Sequence, residues 1–276
     1  MRMPTAFPAP PADGISIGPL DLRAYGLMIA LGVIAAVWLL GRRLVAADAG
    51  TSDDASSIGI WGVVGGLIGA RLYHVVTEWD RFADDLARIP QIWKGGLGIP
   101  GGLALGIVAG VWRARRLGLS IPAVLTAAAP AIPLAQAIGR WGNWFNQELF
   151  GRATDLPWAL SVDPAYLPDG AAIGTTFHPT FLYESLWNLA LAGALILLDR
   201  RRPLGGGRLM AVYVAGYGVG RFWVEGLRID PADSLGGLRW NQWVALAAVV
   251  GSLIVLVRTR GATPPVEAGG GPDDER

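Results

Sequence analysis

Seven long apolar segments restrict what this chain can fold into more than any other feature of its sequence. A helix needs about 20 mostly apolar residues to cross the hydrocarbon core of a bilayer. Four segments qualify directly: 22–41, 95–112, 119–139 and 240–257. Three more are apolar but carry ionisable residues: 58–77, 180–198 and 208–226. Because backbone polar groups in lipid must be satisfied within each segment, the sequence predicts an all-α integral membrane protein with about seven transmembrane helices.

The composition agrees with this fold and removes several classes of function. Charged residues make up 16% of the chain, whereas a soluble domain carries about 25%. The absence of cysteine excludes disulfides, thiolate metal sites and a cysteine nucleophile. A net charge of +1 argues against nucleic acid as a partner, and the only two histidines lie far apart in the sequence. A zinc or haem site therefore has little support from the composition.

Arginine-rich loops predict the orientation of the chain in the membrane. The loops after the first, third, fifth and seventh segments contain "GRRL", "WRARR", "DRRRPLGGGR" and "VRTR". The other loops hold fewer basic residues, and acidic residues offset them. Since basic loops stay in the cytoplasm, we expect the N-terminus outside and the C-terminus in the cytoplasm. Residues 139–151 and the long connection 150–177 then lie at the outer leaflet.

Both ends of the chain differ in composition from the apolar segments. Residues 1–19 are rich in proline and lack the apolar core of a secretory signal, so they predict a short tail. Residues 259–276 are rich in proline, glycine and acidic residues, which is typical of disorder. The membrane domain is therefore expected to span residues 20–258.

Glycine and proline indicate how the helices pack. Glycines recur through the second and third segments, which predicts close helix packing along seams of small residues. The fourth segment carries Pro122, Pro130 and Pro133, so we expect it to be kinked. No internal repeat is visible, which weakens the interpretation as a transporter built from inverted repeats.

Charged residues within apolar segments are candidates for function because each costs several kcal/mol unless it is paired or hydrated. In the sixth segment Tyr213, Tyr217, Arg221 and Glu225 are spaced four apart and share one helical stripe. Arg228 continues this face just outside the segment. An ion pair between Arg221 and Glu225 that only neutralises itself is the alternative.

The stretch "GRWGNWFNQELFG", residues 139–151, places polar groups directly after an apolar run. Arg140 and Asn143 share a helix face, and Asn146 and Glu148 follow where the helix gives way to a loop. An arginine fork with amide neighbours suits a phosphate at the level of lipid headgroups. Arg140 and Arg221 can clamp one phosphodiester, while Glu148 and Glu225 balance their charge or act as a base. The pattern indicates binding of an anionic lipid at the outer leaflet.

Two further polar clusters lie at the outer ends of helices. In "TFHPTFLYES", His178 stands where a helix begins, and Tyr183 and the partnerless Glu184 lie one turn further in. In "LRAYGL", Arg23 and Tyr25 lie at the outer end of the first segment, where Arg23 can extend to the interface. Arg71 and His74 of the second segment are expected to pair with acidic residues of the following loop.

These motifs together resemble the prolipoprotein diacylglyceryl transferases of bacteria. "RAYGL", "GRWGNWFNQELFG", "FHPTFLYES" and "YGVGRFWVEGLR" occur in the family's order and spacing, from about residue 15 to residue 257. The resemblance implies an enzyme of the bacterial cytoplasmic membrane, without a metal or a cofactor, whose active site faces the outer leaflet. Such an enzyme transfers the diacylglyceryl group of phosphatidylglycerol to the lipobox cysteine of a preprolipoprotein and releases glycerol-1-phosphate.

The resemblance also implies roles for individual residues. The catalytic set is Arg140, Arg221, Glu148 and Glu225. The expected substrate-binding set is Arg140, Asn143, Asn146, Tyr25, His178, Tyr183, Glu184, Tyr217 and Arg228. Preprolipoprotein signal peptides and membrane lipids are the implied partners.

Two positions depart from the family's pattern. Many members carry His-Gly-Gly in the third segment, with the histidine proposed as the base, but Pro100 stands there in "GIPGG". Thr126 stands where an aspartate is common. The base is therefore open among His178, Glu148, Glu225 and an unassisted cysteine thiolate, whose free pKa is near ~8.5.

Other classes of protein remain as alternatives. A non-catalytic transporter or flippase for anionic lipids would place its polar residues near the membrane midplane, whereas these gather toward one leaflet. A lipid-binding relative without activity, or another phospholipid-dependent transferase with the same clamp, also fits two arginines at one headgroup.

Overall fold

α-Helices make up most of the chain in a computed structural model, which describes residues 7–17 and 20–259. Eight α-helices lie within these residues. They are α1 (Ala24–Ala46), α2 (Ser52–Thr77), α3 (Ile99–Arg116), α4 (Ile121–Ala128), α5 (Ala131–Phe145), α6 (Thr180–Arg201), α7 (Arg208–Glu225) and α8 (Trp240–Arg258). Single 3₁₀ turns cover Trp79–Arg81, Leu86–Arg88, Ile92–Lys94 and Pro164–Tyr166.

Short antiparallel hairpins lie at one end of the helical bundle. The strands are β1 (Gly14–Ile17), β2 (Leu20–Arg23), β3 (Leu160–Ser161), β4 (Thr176–Phe177), β5 (Ser234–Leu235) and β6 (Leu238–Arg239). β1 pairs with β2, β3 with β4 and β5 with β6. These pairs precede α1, connect α5 to α6, and connect α7 to α8. The helix ends that carry the polar motifs therefore meet beside the hairpins.

The outer surface of the bundle is apolar, as an integral membrane protein requires. Five segments are long and apolar enough to cross a membrane: α1, α2, α4 together with α5, α6, and α8. Helices α3 and α7 coincide with the other two predicted segments, but each has only 18 residues and carries three charged ones. Outward side chains such as Ile34, Ile60 and Leu103 are exposed. The helical membrane-protein class predicted from the sequence is confirmed.

Residues at helix starts explain several of the boundaries. Thr51 and Asp54 form a capping box ahead of α2, in which the Thr51 hydroxyl accepts from the Asp54 amide at 3.1 Å. Pro100 and Pro122 occupy the first turns of α3 and α4, where a missing N–H removes no helical hydrogen bond. The predicted third segment starts at residue 95, yet α3 begins at Ile99. The reason is that Gly95 and Gly96 have φ of 85° and 76°, which no helix accommodates.

The seam of small residues between α2 and α3 is confirmed. A Cβ added at Gly65 would lie 2.9 Å from the Leu105 carbonyl oxygen, and one added at Gly106 would lie 3.1 Å from that of Gly62. Backbones approach this closely only where side chains are absent.

The predicted kink in the fourth segment is a break between α4 and α5. Pro130 has no N–H to donate to the carbonyl of Thr126, four residues earlier. Arg43 of α1 replaces that bond: its Nη2 donates to the Thr126 oxygen at 3.3 Å and its Nε to that of Ala127 at 3.1 Å. Asp199 of α6 balances the guanidinium at 2.8 Å. The break is therefore satisfied by a neighbouring helix.

Arg71 differs from its predicted role. It donates to four backbone carbonyls, those of Arg88, Ile89, Gly95 and Gly96, at 2.6–3.0 Å, instead of pairing with acidic residues. It thereby fixes the connection between α2 and α3.

The predicted terminal tails are described only in part. Phe7 packs against Trp141, Trp144 and Phe181, and it bridges to Leu160. Residues 1–6 and 260–276 lie outside the described residues, and with them nearly all of the C-terminal segment expected to be disordered.

Candidate functional site

The chain reverses direction just after α5 and brings Glu148 back against the end of that helix. Gln147 and Leu149 take positive φ values of 49° and 61°, which reverse the chain direction. The carboxylate Oε1 of Glu148 accepts from Asn143 Nδ2 at 2.9 Å and from Asn146 Nδ2 at 3.1 Å. Arg140 Nη1 in turn donates to Asn143 Oδ1 at 3.3 Å. Four residues predicted from one motif therefore form one hydrogen-bonded chain.

Glu184 of α6 lies between two arginines from different helices. Its Oε2 lies 2.9 Å from Arg140 Nη2, and its Oε1 lies 3.6 Å from Arg221 Nη1. The second distance is too long for a hydrogen bond, and within the described residues Arg221 Nη1 has no other acceptor. The structure thus gives Glu184 the partner that the sequence required, and one buried guanidinium donor stays available beside it.

Glu225 is completely buried at the end of α7. Its carboxylate contacts Arg221 Nη2 at 2.5 Å, Arg239 Nε at 3.0 Å and, more distantly, Arg228 Nη1 at 3.9 Å. Asn241 Nδ2 donates to it at 3.1 Å. A buried carboxylate is tolerated only when it is paired in this way. The simple Arg221–Glu225 pair is therefore one part of a larger network.

Asp230 closes this network from the loop after α7. It accepts from Arg228 Nε at 2.7 Å and from Arg239 Nη2 at 2.9 Å. Burial raises the pKa of Asp230, but the hydrogen bond and charge of Arg228, with the charge of Arg239, outweigh burial and hold the pKa below its ordinary value. Asp230 is therefore ionised at neutral pH and fixes both arginines.

Gly151 ties the ends of three helices together through backbone bonds. Its amide donates to the His178 carbonyl at 2.9 Å, and the next amide, of Arg152, donates to the Leu227 carbonyl at 2.9 Å. A Cβ at Gly151 would lie 2.9 Å from that of His178 and 3.0 Å from the Leu227 oxygen. Only glycine allows the loop after α5 to run between the start of α6 and the end of α7.

His178 and Tyr183 form a separate group beside the arginines. The Tyr183 hydroxyl lies 3.0 Å from His178 Nδ1 and accepts from Trp158 Nε1 at 3.0 Å. Partial burial, followed by the positive charge of Arg152, lowers the pKa of His178 below its ordinary value of 6.5. The imidazole is therefore neutral at pH 7.

The two remaining predicted tyrosines are positioned by packing. The ring of Tyr25 lies on Gly142, where an added Cβ would be 2.6 Å from its Cδ2. Tyr217 lines a small cavity with Glu184 and Arg221. Within the described residues, neither hydroxyl makes a hydrogen bond.

Sequence reasoning missed Asp230, Arg239 and Asn241. The helical spacing that linked Tyr217, Arg221 and Glu225 could not reach them, because they belong to the loop before α8 and to its first turn. A signal was present in "RWNQW", where an arginine and an asparagine stand at the start of an apolar helix.

No metal site accompanies these residues. Nowhere in the described parts of the chain do three or more His, Asp or Glu side chains lie where they could hold a metal ion. The acidic groups of the site face guanidinium groups instead.

Fold and site together define a class: a helical membrane protein with an arginine–carboxylate network where its helix ends meet. The family model of prolipoprotein diacylglyceryl transferases matches residues 13–258. The chain belongs to this family.

Curated relatives cover nearly the whole chain. The phosphatidylglycerol–prolipoprotein diacylglyceryl transferase of Frankia alni is 47% identical across 98% of this chain and 71% of its own length. A second, from Streptomyces coelicolor, is 48% identical across 95% of this chain and 83% of its own length. A third, from Mycobacteroides abscessus, is 42% identical across 96% and 82%. The motif-based identification of the family is confirmed.

Proposed function

We propose that this chain transfers the diacylglyceryl group of phosphatidylglycerol to the cysteine thiol in the lipobox of a preprolipoprotein. The products are a thioether-linked lipoprotein precursor and glycerol-1-phosphate. The observation that carries the proposal is the convergence of Arg140 and Arg221, from separate helices, on one carboxylate. Two guanidinium groups aimed at a single anion form the geometry that a phosphodiester requires.

The chemistry is a displacement at the glyceryl carbon. The thiolate sulfur forms a bond to the carbon that carries the phosphate ester, and the carbon–oxygen bond to phosphate breaks. The bonding electron pair leaves with glycerol phosphate, and the thiol proton passes to a base or to solvent. Arg140 and Arg221 neutralise the diester and stabilise the charge that the leaving phosphate gains, which is usually the largest electrostatic contribution in such a site.

Burial favours a positioning role for Glu225. It is enclosed by Arg221, Arg228, Arg239 and Asn241, so a thiol has no path to its carboxylate. Neutral His178 and exposed Glu148 are the residues better placed to accept a proton. Asn143 and Asn146 hold Glu148, while Tyr25, Tyr183, Tyr217 and Arg228 complete the surroundings of the lipid headgroup.

The proposed setting is the cytoplasmic membrane of a bacterium, with seven spans, the N-terminus outside and the active site toward the outer leaflet. The polar helix ends gather at one end of the bundle, which suits a lipid headgroup at one leaflet. A lipid transporter would place its polar residues near the middle of the helices, whereas this network lies at the helix ends.

The test is transfer by the purified protein. It is incubated with phosphatidylglycerol and a lipobox peptide, and released glycerol phosphate is measured. We expect release with the cysteine peptide and none with the same peptide carrying alanine in place of cysteine. Release that did not depend on cysteine would mean a different acceptor, and no release from a folded, lipid-binding protein would overturn the proposal.

Arg140→Ala tests the clamp within the same assay. Loss of a preorganised charge-stabilising donor costs about 100-fold or more in turnover. The matched control is Arg115→Ala, at an exposed arginine near the end of α3 that makes no ion pair within the described residues and lies away from the candidate site. Near-normal turnover of Arg140→Ala would contradict the clamp.

A further inference from the structure

A second cavity lies at the opposite end of the bundle from the candidate site. It has a volume of about 600 Å³ and is bounded by the end of α1, by α4 and by the end of α6. Helix α1 is 23 residues long, so about 34 Å separates this end from the site. No residue of the cavity takes part in the arginine–carboxylate network described above.

The cavity is basic, and within the described residues two of its arginines form no ion pair. It is lined by Arg42, Arg43 and Arg200 against one acidic residue, Asp199, which gives a net charge of +2. Arg43 is committed to Asp199 and to the carbonyls at the α4–α5 break. Arg42 and Arg200 are exposed, and neither forms an ion pair within the described residues. Their guanidinium groups can therefore receive an anion.

An apolar groove adjoins the cavity on the other side of Trp38. This groove, of about 690 Å³, runs between α1 and α2 and is lined by residues such as Ile34, Ile60 and Val63. Trp38 and Arg42 line both spaces, and the Arg42 guanidinium lies over the Trp38 ring at 5.3 Å. Arg42 thus stands where the basic cavity and the apolar groove meet, beside the indole ring of Trp38.

We propose that this region binds an anionic diacyl phospholipid of the leaflet opposite the candidate active site. Its phosphate lies against Arg42 and Arg200, one acyl chain lies in the cavity, and the other lies in the α1–α2 groove across Trp38. The cavity and the groove together fit a lipid with two acyl chains, and the two arginines favour a lipid with a negative charge. Basic pockets between transmembrane helices bind anionic headgroups in this manner.

Arg115 and Arg116 provide a control for the loss of two positive charges at Arg42 and Arg200. Arg116 lies over Trp112 at 5.6 Å, at the end of α3, and lines neither space. The double variant Arg42→Gln/Arg200→Gln removes both arginines of the proposed site. The double variant Arg115→Gln/Arg116→Gln removes two positive charges as well but leaves the proposed site intact. Arg42→Lys with Arg200→Lys keeps the charge.

The experiment is native mass spectrometry of the detergent-purified chain, titrated with phosphatidylglycerol or with phosphatidylcholine of the same acyl chains. We expect two phosphatidylglycerol molecules on the unaltered protein. Because hydrogen bonds to charged groups are worth about 1.5–3 kcal/mol, the Arg42/Arg200 glutamine variant should bind one of them at least about tenfold more weakly. The Arg115/Arg116 variant and the lysine variant should keep both.

Three results would overturn the proposal: equal weakening in the Arg115/Arg116 variant, unchanged binding in the Arg42/Arg200 glutamine variant, or equal binding of phosphatidylcholine. Turnover with saturating phosphatidylglycerol shows that the glutamine variant is folded, since Arg42 and Arg200 are remote from the candidate active site. Arg140→Ala should lose the other lipid. Failure at one site is therefore distinguishable from failure at the other.

Discussion

In the proposed mechanism, Glu184 occupies the position that the phosphate of the incoming lipid needs. It lies 2.9 Å from Arg140 and 3.6 Å from Arg221, and its side chain is 7% exposed. A phosphodiester that enters between these arginines must share their donors with the carboxylate or displace it. In that mechanism Glu184 neutralises two partly buried guanidinium groups and holds them in place until the lipid arrives, but it also competes with the lipid for them.

Glu184→Gln separates these two effects. Without the competing charge, phosphatidylglycerol should bind about tenfold more tightly, since a charged contact is worth about 1.5–3 kcal/mol. Turnover should fall, because the arginines lose the group that orients them. The measurement is the dependence of glycerol phosphate release on the mole fraction of phosphatidylglycerol, which gives KM and kcat separately.

Glu184→Asp is the companion variant, because it keeps the charge and shortens the side chain. It should show no tightening. A Glu184→Gln enzyme with weaker lipid binding would mean that the carboxylate itself contacts the substrate favourably, contrary to the competition argued here.

The lowered pKa of His178 predicts an acid limb in the pH dependence. Above its ordinary value of 6.5 the imidazole is neutral in both folded and unfolded chains, and its contribution to stability is fully present. As the pH falls below 6.5, the unfolded chain takes up a proton first, so stability declines until the pH has passed the lowered folded-state pKa. Turnover declines around that folded-state pKa, where the imidazole of the folded enzyme is protonated and can no longer accept a proton. His178→Gln should flatten this limb in turnover measured from pH 5 to pH 8. An unchanged limb would assign it to another group.

The seam between α2 and α3 allows a sharp comparison at the scale of helices. Gly65→Ala would place a Cβ 2.9 Å from the Leu105 oxygen, whereas Gly62→Ala meets no atom nearer than 3.8 Å. Overpacking typically costs about 1–3 kcal/mol, while an alanine tolerated in a helix gains about 0.5–1 kcal/mol over glycine. Thermal unfolding in detergent should therefore show a lower midpoint for Gly65→Ala and an equal or higher one for Gly62→Ala. An equal decrease of the unfolding midpoint in both variants would mean that Gly65 is not packed more tightly than Gly62.

The sequence predicted which long helices form, but it did not predict where they begin and end. Apolar length predicted every long helix, and the three prolines Pro122, Pro130 and Pro133 predicted a kink in the fourth segment. That Arg43 would satisfy this break could not be predicted, because the two residues are far apart in sequence and no spacing rule joins them. The start of α3 was placed four residues too early, since an apolar run containing Gly95 and Gly96 looks helical until the backbone angles are known.

At the scale of the whole molecule, part of the candidate site was likewise predicted from the sequence and part was visible only in the structure. The motif around Arg140 and the stripe of Arg221 and Glu225 were visible because their members lie within one or two turns. The closure of the network by Arg239, Asn241 and Asp230 depends on α8 packing against α7, which is a tertiary contact. The cavity beside Arg42 was likewise invisible in the sequence, where that arginine only indicated a basic loop.

The orientation of the whole molecule can be tested with unusual clarity, because the chain contains no cysteine. A single cysteine is introduced as Asp169→Cys, in the connection between α5 and α6, or as Arg202→Cys, in the loop between α6 and α7. Both positions are exposed. In intact cells a membrane-impermeant maleimide should label residue 169 directly and residue 202 only after permeabilisation, because basic loops stay in the cytoplasm. The unaltered chain provides the background. Labelling in the reverse order would place the arginine–carboxylate network at the inner leaflet, where no exported preprolipoprotein could present its cysteine.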